Sequence, residues 1–416
     1  MGLRFLITIG LIIVAEFYSF ILVRSMTRNL PKPWRIGVFS LYIFLSLLAW
    51  ASMLLVRKID WSAVPHMTKN LLVAFTIGFF VGKILIMAVM LIDDIRRVIM
   101  FIISRLAPAT DITEEAVASR GISRSQFLKS IALLLGGLSL GGFLLGITNR
   151  YNYQVKRVRV RLPNLPSAFR GLKILQLSDI HAGSFDSPEA VERGVALAME
   201  QRPDVIVFTG DLVNNKAEEL RPFVDIFSKL KAPYGVYSVL GNHDYGDYVE
   251  WPTVDDKVSN LEELKQLQQK MGWKLLLNEH VVLEREGEKI ALLGVENWSN
   301  RAHFPRHGNL NQAYRGLESN AIGAKILLSH DPSHFDAQVS TQFPDIDLTL
   351  SGHTHGMQFG IEIPGFKWSP VKYVYEKWAG LYQVGHQQLY VNRGYGFLGY
   401  PGRVGILPEI TVIELA

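Results

Sequence analysis

The chain has 416 residues, a net charge of +5 and a hydrophobic content of 49%. That length predicts two or more domains. The lack of cysteine excludes disulfides, thiolate ligands and cysteine nucleophiles, and the modest charge, with no long basic block, argues against nucleic acid as the main partner.

The apolar residues concentrate in the first 150 positions. Runs at 5–23, 36–56 and 71–92 are each long enough to cross the hydrocarbon core as a helix. A shorter run at 131–147 predicts a fourth span. Its glycines, Gly137 with Gly141 and Gly142 with Gly146, are four apart, a spacing that lets helices approach closely. Residues 1–150 therefore read as an all-α transmembrane region and 151–416 as a separate domain. Glu16 and Lys83 lie inside apolar spans, near no other motif. Intramembrane charges are functional candidates by default; here a polar contact between helices, with each other as candidate partners, is the expectation.

Basic residues set the orientation of such a region. Arg24, Arg28, Lys32 and Arg35 follow the first span, and Arg96, Arg97, Arg105, Arg120, Arg124 and Lys129 follow the third. Only Arg57, Lys58 and Lys69 follow the second. The first and third loops are thus expected in the cytoplasm. Four spans then put the C-terminal domain of a multi-pass cell-membrane protein outside it. Arg150, Lys156, Arg157, Arg159 and Arg161 run against this, but long exported domains tolerate such charge. The stretch Ser123-Arg124-Ser125-Gln126-Phe127-Leu128-Lys129 resembles a twin-arginine export signal whose second arginine is replaced by Ser125. A basic amphipathic connector is the competing reading.

Beyond the spans the pattern changes to short apolar runs between turn residues. Residues 155–166 read as a strand with a Pro-marked turn. Lys173–Leu177, Val205–Phe208, 237–240, 326–328 and 348–350 read as further strands, 190–201 and 261–271 as amphipathic helices, and 380–415 as consecutive strands with Gly-rich turns. A polar segment follows each of the five strands: Asp179-Ile-His181, Gly210-Asp211, Gly241-Asn242-His243-Asp244, Ser329-His330 and Gly352-His353-Thr354-His355. Groups at the carboxyl ends of parallel strands converge on one crevice. Carboxylate, amide and imidazole without thiol suit divalent Mn, Fe or Zn.

Taken alone, Gly210-Asp211 would be a turn, and an isolated histidine a surface or hydrogen-bonded core residue. Of the 11 histidines, five fall in these segments, which favours a shared purpose. His66, His280 and His386 read as structural or exposed. His303, His307 and His334 are open: the basic run Arg301-Ala-His303-Phe-Pro-Arg306-His307 follows a strand-like stretch at 290–295 and is a candidate to line the same crevice.

The ordered series D-x-H, G-D, G-N-H-D, H and G-H-x-H resembles the calcineurin-like metallophosphoesterases over roughly residues 170–416, and the bacterial membrane-associated branch most closely. The resemblance implies a four-layer α/β/β/α sandwich and two divalent metal ions. One would be held by Asp179, His181, Asp211 and His355, the other by Asp211, Asn242, His330 and His353, with Asp211 bridging. His243 would approach the substrate phosphate as a catalytic residue, and Asp244 would orient it. Met357 departs from the pattern, since close relatives often have glycine there; it bears on pocket shape and not on the metals.

Such a metal pair clamps a phosphate and holds a hydroxide for in-line attack. The expected function is a membrane-anchored, metal-dependent phosphoesterase acting on a phosphodiester or pyrophosphate, with a lipid head group as the favoured substrate. The branch includes phosphodiesterases and enzymes that cleave UDP-2,3-diacylglucosamine; the latter need a cytoplasmic site, which the charge pattern disfavours. The alternative is a transporter or receptor module carrying an accessory phosphoesterase. Two aromatic loops leave the crevice, one holding Tyr245, Tyr248 and Trp251, the other Phe359, Phe366 and Trp368. Aromatic rings suit a membrane interface, while simple packing of a long loop is the competing reading.

Overall fold

The computed structural model describes residues 3–55, 64–106, 124–317 and 322–416. Arg57, Lys58, Arg120 and Ser123 lie outside the described residues. The chain forms two compact units that divide between Ile147 and Thr148.

The first unit consists of four helices, α1 (Leu3–Met26), α2 (Lys32–Leu55), α3 (His66–Leu106) and α4 (Arg124–Gly146). All four are long and apolar enough to cross a membrane. At about 1.5 Å per residue, the 41 residues of α3 reach well past one bilayer. Arg96, Arg97 and Arg105 therefore stand on a continuing helix rather than in a loop, and Arg96 and Arg97 both pair with Asp93. The helices do approach closely through glycine, at Gly82 and Gly136 rather than at the expected Gly137 and Gly141. A Cβ on Gly82 of α3 would lie 2.9 Å from the Gly136 carbonyl of α4, whereas Gly137 and Gly141 face open space. Glu16 and Lys83 meet at 2.6 Å. Tyr42, Ser46 and Trp50 of α2 also donate to the Glu16 carboxylate, and Lys83 donates a second bond to Ser46 at 2.8 Å.

The second unit holds fourteen strands among the described residues: β1 (Gln154–Val160), β2 (Lys173–Leu177), β3 (Val205–Phe208), β4 (Val236–Ser238), β5 (Lys274–Leu275), β6 (Glu279–Arg285), β7 (Glu288–Gly294), β8 (Lys325–Leu328), β9 (Leu348–Ser351), β10 (Ile361–Ile363), β11 (Phe366–Trp368), β12 (Gly380–Val384), β13 (Gln387–Val391) and β14 (Glu409–Leu415). One sheet has the order β1-β14-β2-β3-β4-β5, the other β12-β13-β9-β8-β7-β6, and β10 with β11 forms a separate hairpin. Within the first sheet β2, β3, β4 and β5 run parallel; within the second β7, β8, β9 and β13 do.

Strand periodicity builds the layers. Along β3, Val205 and Val207 enter the core between the sheets, while Ile206 and Phe208 face the helix layer outside. Along β8, Ile326 and Leu328 enter the same central core and Leu327 faces outward. Successive side chains on a strand point to opposite faces, so apolar runs cover both sides of a buried parallel sheet. Helices α5 (Pro188–Met199), α6 (Val224–Phe227) and α7 (Val254–Lys270) cover the first sheet through Val191, Val195, Ile226 and Leu264. The short α8 (Leu310–Tyr314) and the segment Phe335–Val339 cover the second through Leu310, Ala313 and Phe335. The result is a four-layer α/β/β/α sandwich whose two sets of parallel strands end along one edge.

Candidate metal centre

Five strands deliver the polar segments to that edge: β2 to Asp179 and His181, β3 to Asp211, β4 to Asn242 through Asp244, β8 to His330, and β9 to His353 and His355. The chain turns sharply as it leaves the sheets. Asp179, His181, Asp211, His353 and His355 all take left-handed backbone conformations, with φ of 52°, 49°, 61°, 70° and 50°. Such conformations cost about 1–3 kcal/mol each for a side-chain-bearing residue and cluster at functional sites. Gly241 is required by proximity, since a Cβ there would fall 2.2 Å from Oδ1 of Asp211.

Two buried clusters result. Ligand-capable atoms of Asp179, His181 and His355 lie within 4.8 Å of one another, as do those of Asp211, His330 and His353. Nε2 of His181 and Nε2 of His355 are 3.0 Å apart, and His355 Nε2 lies 3.3 Å from Asp179. The Asp211 carboxylate reaches both clusters, at 3.1 Å from His330 Nε2 and 3.6 Å from His181 Nε2. Asn242 is buried with its Oδ1 unpartnered, while its Nδ2 donates to Tyr248.

Hydrogen bonds fix which imidazole nitrogens are free. His330 Nδ1 lies 2.8 Å from the Thr209 carbonyl, which can only accept, so the ring presents Nε2 to Asp211. His353 is held the other way. Its Nε2 lies 2.8 Å from the Tyr375 hydroxyl, which in turn donates to Asp331 at 3.1 Å. Nδ1 of His353 is thus left facing His330, at 3.2 Å.

Electrostatics separate the groups. Burial would raise Asp211, but the charges of His330 and His243 outweigh it and hold this carboxyl well below its usual range. Burial lowers His330, but Asp211 overcomes that and lifts it to about 10. Burial pushes Asp179 up to about 7, against the pull of His330. It also drives His181 down to about 3, His353 to about 4 and His355 well below the usual range. Neutral imidazoles, carboxylates and an unpartnered buried amide oxygen are a donor set that fits borderline divalent cations.

The expected orienting role of Asp244 does not survive. Its carboxylate accepts backbone N–H bonds from Gly241, Asp211, Leu212 and Val213 at 2.7–3.3 Å, tying the β3 and β4 loops together. Those four donors occupy it fully. The ring of His243 is held instead by the Asn214 carbonyl, 2.8 Å from Nδ1. A carbonyl only accepts, so Nδ1 carries the proton and Nε2 is the nitrogen left for chemistry.

The chain matches the calcineurin-like phosphoesterase family over residues 172–357. It also matches a family described as "Probable Calcineurin-like phosphoesterase, transmembrane domain" over residues 3–150. It is 31% identical over 309 residues to the uncharacterized metallophosphoesterase YkuE of Bacillus subtilis (strain 168), covering 71% of this chain and 98% of that protein. The chain belongs to the calcineurin-like metallophosphoesterases. A transmembrane protein with metallophosphoesterase domain from Danio rerio is 32% identical over 321 residues, 75% of this chain and 67% of that protein. The phosphodiesterase YaeI of Escherichia coli (strain K12) is 28% identical over 300 residues, 71% and 99% respectively.

In this metallophosphoesterase the remaining histidines sort by their surroundings. His334 is buried between Ser329 and Gln338 and stacked on Trp298. His280 bonds the Ala313 carbonyl and His307 packs on Tyr245. The basic run does reach the crevice, through Phe304, edge-on to His353 at 4.8 Å, and Arg301, 4.3 Å over the Tyr375 ring. Tyr248 of the first aromatic loop packs on His243 at 4.4 Å, and so belongs to the site. Met357 is 53% exposed and takes φ 56°, a conformation glycine adopts without strain. Asn214, Tyr375 and Asp331 were not singled out by the sequence reading. Asn214 and Asp331 had a signal, lying three residues after Asp211 and one after His330; Tyr375 had none.

Proposed function

We propose that this membrane metallophosphoesterase hydrolyses a phosphodiester or pyrophosphate bond carried in a lipid head group, using two divalent cations drawn from Mn, Fe and Zn. Asp179, His181, Asp211 and His355 would hold one ion, and Asp211, Asn242, His330 and His353 the other. The observation that carries this reading is the junction of the two buried clusters at one carboxylate, Asp211. When bound, a metal pair clamps the phosphate and activates the attacking water.

The chain's own residues supply the rest. Asp211, held ionised by its histidines, turns Oδ2 toward both His181 and His330, while Oδ1 accepts the His243 backbone N–H. Tyr375 and Thr209 keep His353 and His330 in the tautomers whose other nitrogens would be left for the ions. His243, with Nδ1 committed to Asn214, holds or delivers a proton at Nε2 where the leaving oxygen would depart. Asp244 acts on the backbone and takes no part in proton transfer. The similarity to the phosphodiesterase YaeI supports a diester, and the four helices long and apolar enough to cross a membrane support a substrate that resides in the bilayer.

We further propose that the catalytic unit lies outside the cytoplasm, on the strength of the basic residues after α1 and α3. A reporter active only outside the cytoplasm should work when fused at Ala416 and fail when fused after residue 110; the reverse would overturn the orientation. The substrate is tested by screening the metal-loaded full-length protein against phosphomonoesters, phosphodiesters and pyrophosphate-linked lipids. Turnover of lipid diesters or pyrophosphates above all soluble monoesters is expected. A preference for soluble monoesters would refute the lipid substrate.

A further inference from the structure

The β10–β11 hairpin has its polarity inverted for a protein facing water. The pairs Ile361↔Trp368 and Ile363↔Phe366 put four apolar side chains on one face, with Glu362 and Lys367 on the other. The polar face is the one turned to the protein. Glu362 pairs with Lys156 of β1 at 3.2 Å and with Arg393 at 2.9 Å. Lys367 donates to the Ala379 carbonyl and the Tyr382 hydroxyl. The apolar face points away: Ile361, Ile363 and Phe366 are 50%, 58% and 53% exposed. An antiparallel sheet with one face in water ordinarily buries its apolar side.

The apolar surface continues toward the crevice. Trp368 Nε1 donates to the Tyr373 hydroxyl at 3.5 Å, and Tyr373 and Val374 are both exposed. The next residue, Tyr375, is buried and bonded to His353. Exposed apolar surface thus continues from the hairpin to Val374, one residue before the buried Tyr375 that meets His353. The root of the hairpin is also fixed in position. Gly360 N–H donates to the Val404 carbonyl at 2.9 Å, and Asn149, where the chain enters this unit, donates to the Arg403 carbonyl at 3.4 Å. The root and the chain's entry from α4 therefore share one edge of the catalytic unit.

We propose that the outward face of β10–β11, continued by Tyr373, is a bilayer-contacting surface that enters the interface of the membrane spanned by α1–α4. The chemistry of this surface selects a bilayer as its occupant. Trp368 and Tyr373 have rings with an apolar body and a polar tip, the residues enriched at membrane–water interfaces. Lys372 stands exposed beside Tyr373, placed to meet anionic head groups. The chain enters this unit at the same edge, coming from a helix long and apolar enough to cross a membrane. An isolated two-stranded hairpin is only marginally stable in water; the polar anchors of Glu362 and Lys367 hold this one in shape. The proposal goes beyond hydrolysis and stands or falls independently of the substrate.

The chain has no cysteine, so single labels can be placed cleanly. Ile363→Cys, Phe366→Cys and, at the opposite edge of the second sheet, Val282→Cys are spin-labelled in the full-length protein in nanodiscs of phosphatidylcholine and phosphatidylglycerol. Each variant is first matched to the parent in thermal melting, with Ile361→Cys replacing either hairpin variant that melts lower and Glu284→Cys replacing Val282→Cys if that melts lower. Collisional access to oxygen relative to a water-soluble nickel chelate is then read at each site. The proposal expects that ratio to be several-fold higher at 363 and 366 than at 282. Equal aqueous access at all three sites overturns it. Low access to both reagents at 363 and 366 also overturns it, and assigns the face to a protein neighbour such as a second copy.

Discussion

Glu16 with Lys83, and Asp211 with its histidines, are both charged clusters drawn away from bulk water, yet they are finished differently. In the membrane unit the carboxylate receives Lys83, Tyr42, Ser46 and Trp50, and the helices around it run unbroken through Glu16 and Lys83. In the catalytic unit the amide oxygen of Asn242 has no partner, two imidazole nitrogens face each other at 3.0 Å, and the backbone is left-handed at five of the converging residues. A cluster whose lone pairs and protons are already matched has nothing left to offer a ligand. One that keeps strained backbone and unmatched acceptors retains groups free to bind a ligand. The comparison assigns Glu16 and Lys83 to holding helices together, and it removes the main sequence hint of a transport module.

The comparison can be broken at either end. At the catalytic end a large effect is expected at His243. His243→Ala should cut turnover by roughly 10²–10⁴-fold with metal content unchanged by elemental analysis; loss of a metal would make His243 a ligand. At the other cluster, Lys83→Met strands the Glu16 carboxylate and should lower stability by about 3 kcal/mol, read from melting in detergent. The pair Glu16→Gln with Lys83→Met should recover most of it, with turnover per folded molecule unchanged throughout. Lost turnover in a stably folded double variant would give this pair a role beyond packing.

Tyr375→Phe removes the hydroxyl that links His353 to Asp331. Metal affinity should fall by about 10–100-fold in chelator competition, and unchanged affinity would show that the tautomer of His353 is set elsewhere. The smallest effect is in pH. Asp179, raised to about 7, must lose its proton to bind a cation, and so must His330, raised to about 10. Both requirements point the same way, so metal binding releases protons and strengthens as pH rises. Metal retained after dialysis should decline steadily as pH falls through 7. Retention independent of pH would contradict the protonation states drawn here.

The fold was legible in the sequence wherever a pattern is local. Lys173–Leu177 and Val205–Phe208 coincide with β2 and β3 because continuous apolar runs bounded by polar turns admit little else. The nine candidate site residues meet at one edge because parallel strands carry their carboxyl ends there. Contacts that depend on three-dimensional register were not legible. Which glycines touch, Gly82 with Gly136 and not Gly137 or Gly141, is set by helix rotation. That Asn214 and not Asp244 holds His243 depends on how two loops cross, and adjacency in sequence pointed to the wrong neighbour. Tyr375 comes twenty residues after His355 and is brought back only by the loop that includes β10 and β11.

The central claim is that two ions share one carboxylate. It is tested most directly by the metal content of Asp211→Asn beside the parent protein, both purified full-length and loaded with the same cation. Two equivalents bound by the parent and a loss of tight binding at both sites in Asp211→Asn, with nearly all hydrolysis abolished, is the predicted result. Two tightly bound ions in Asp211→Asn would contradict it.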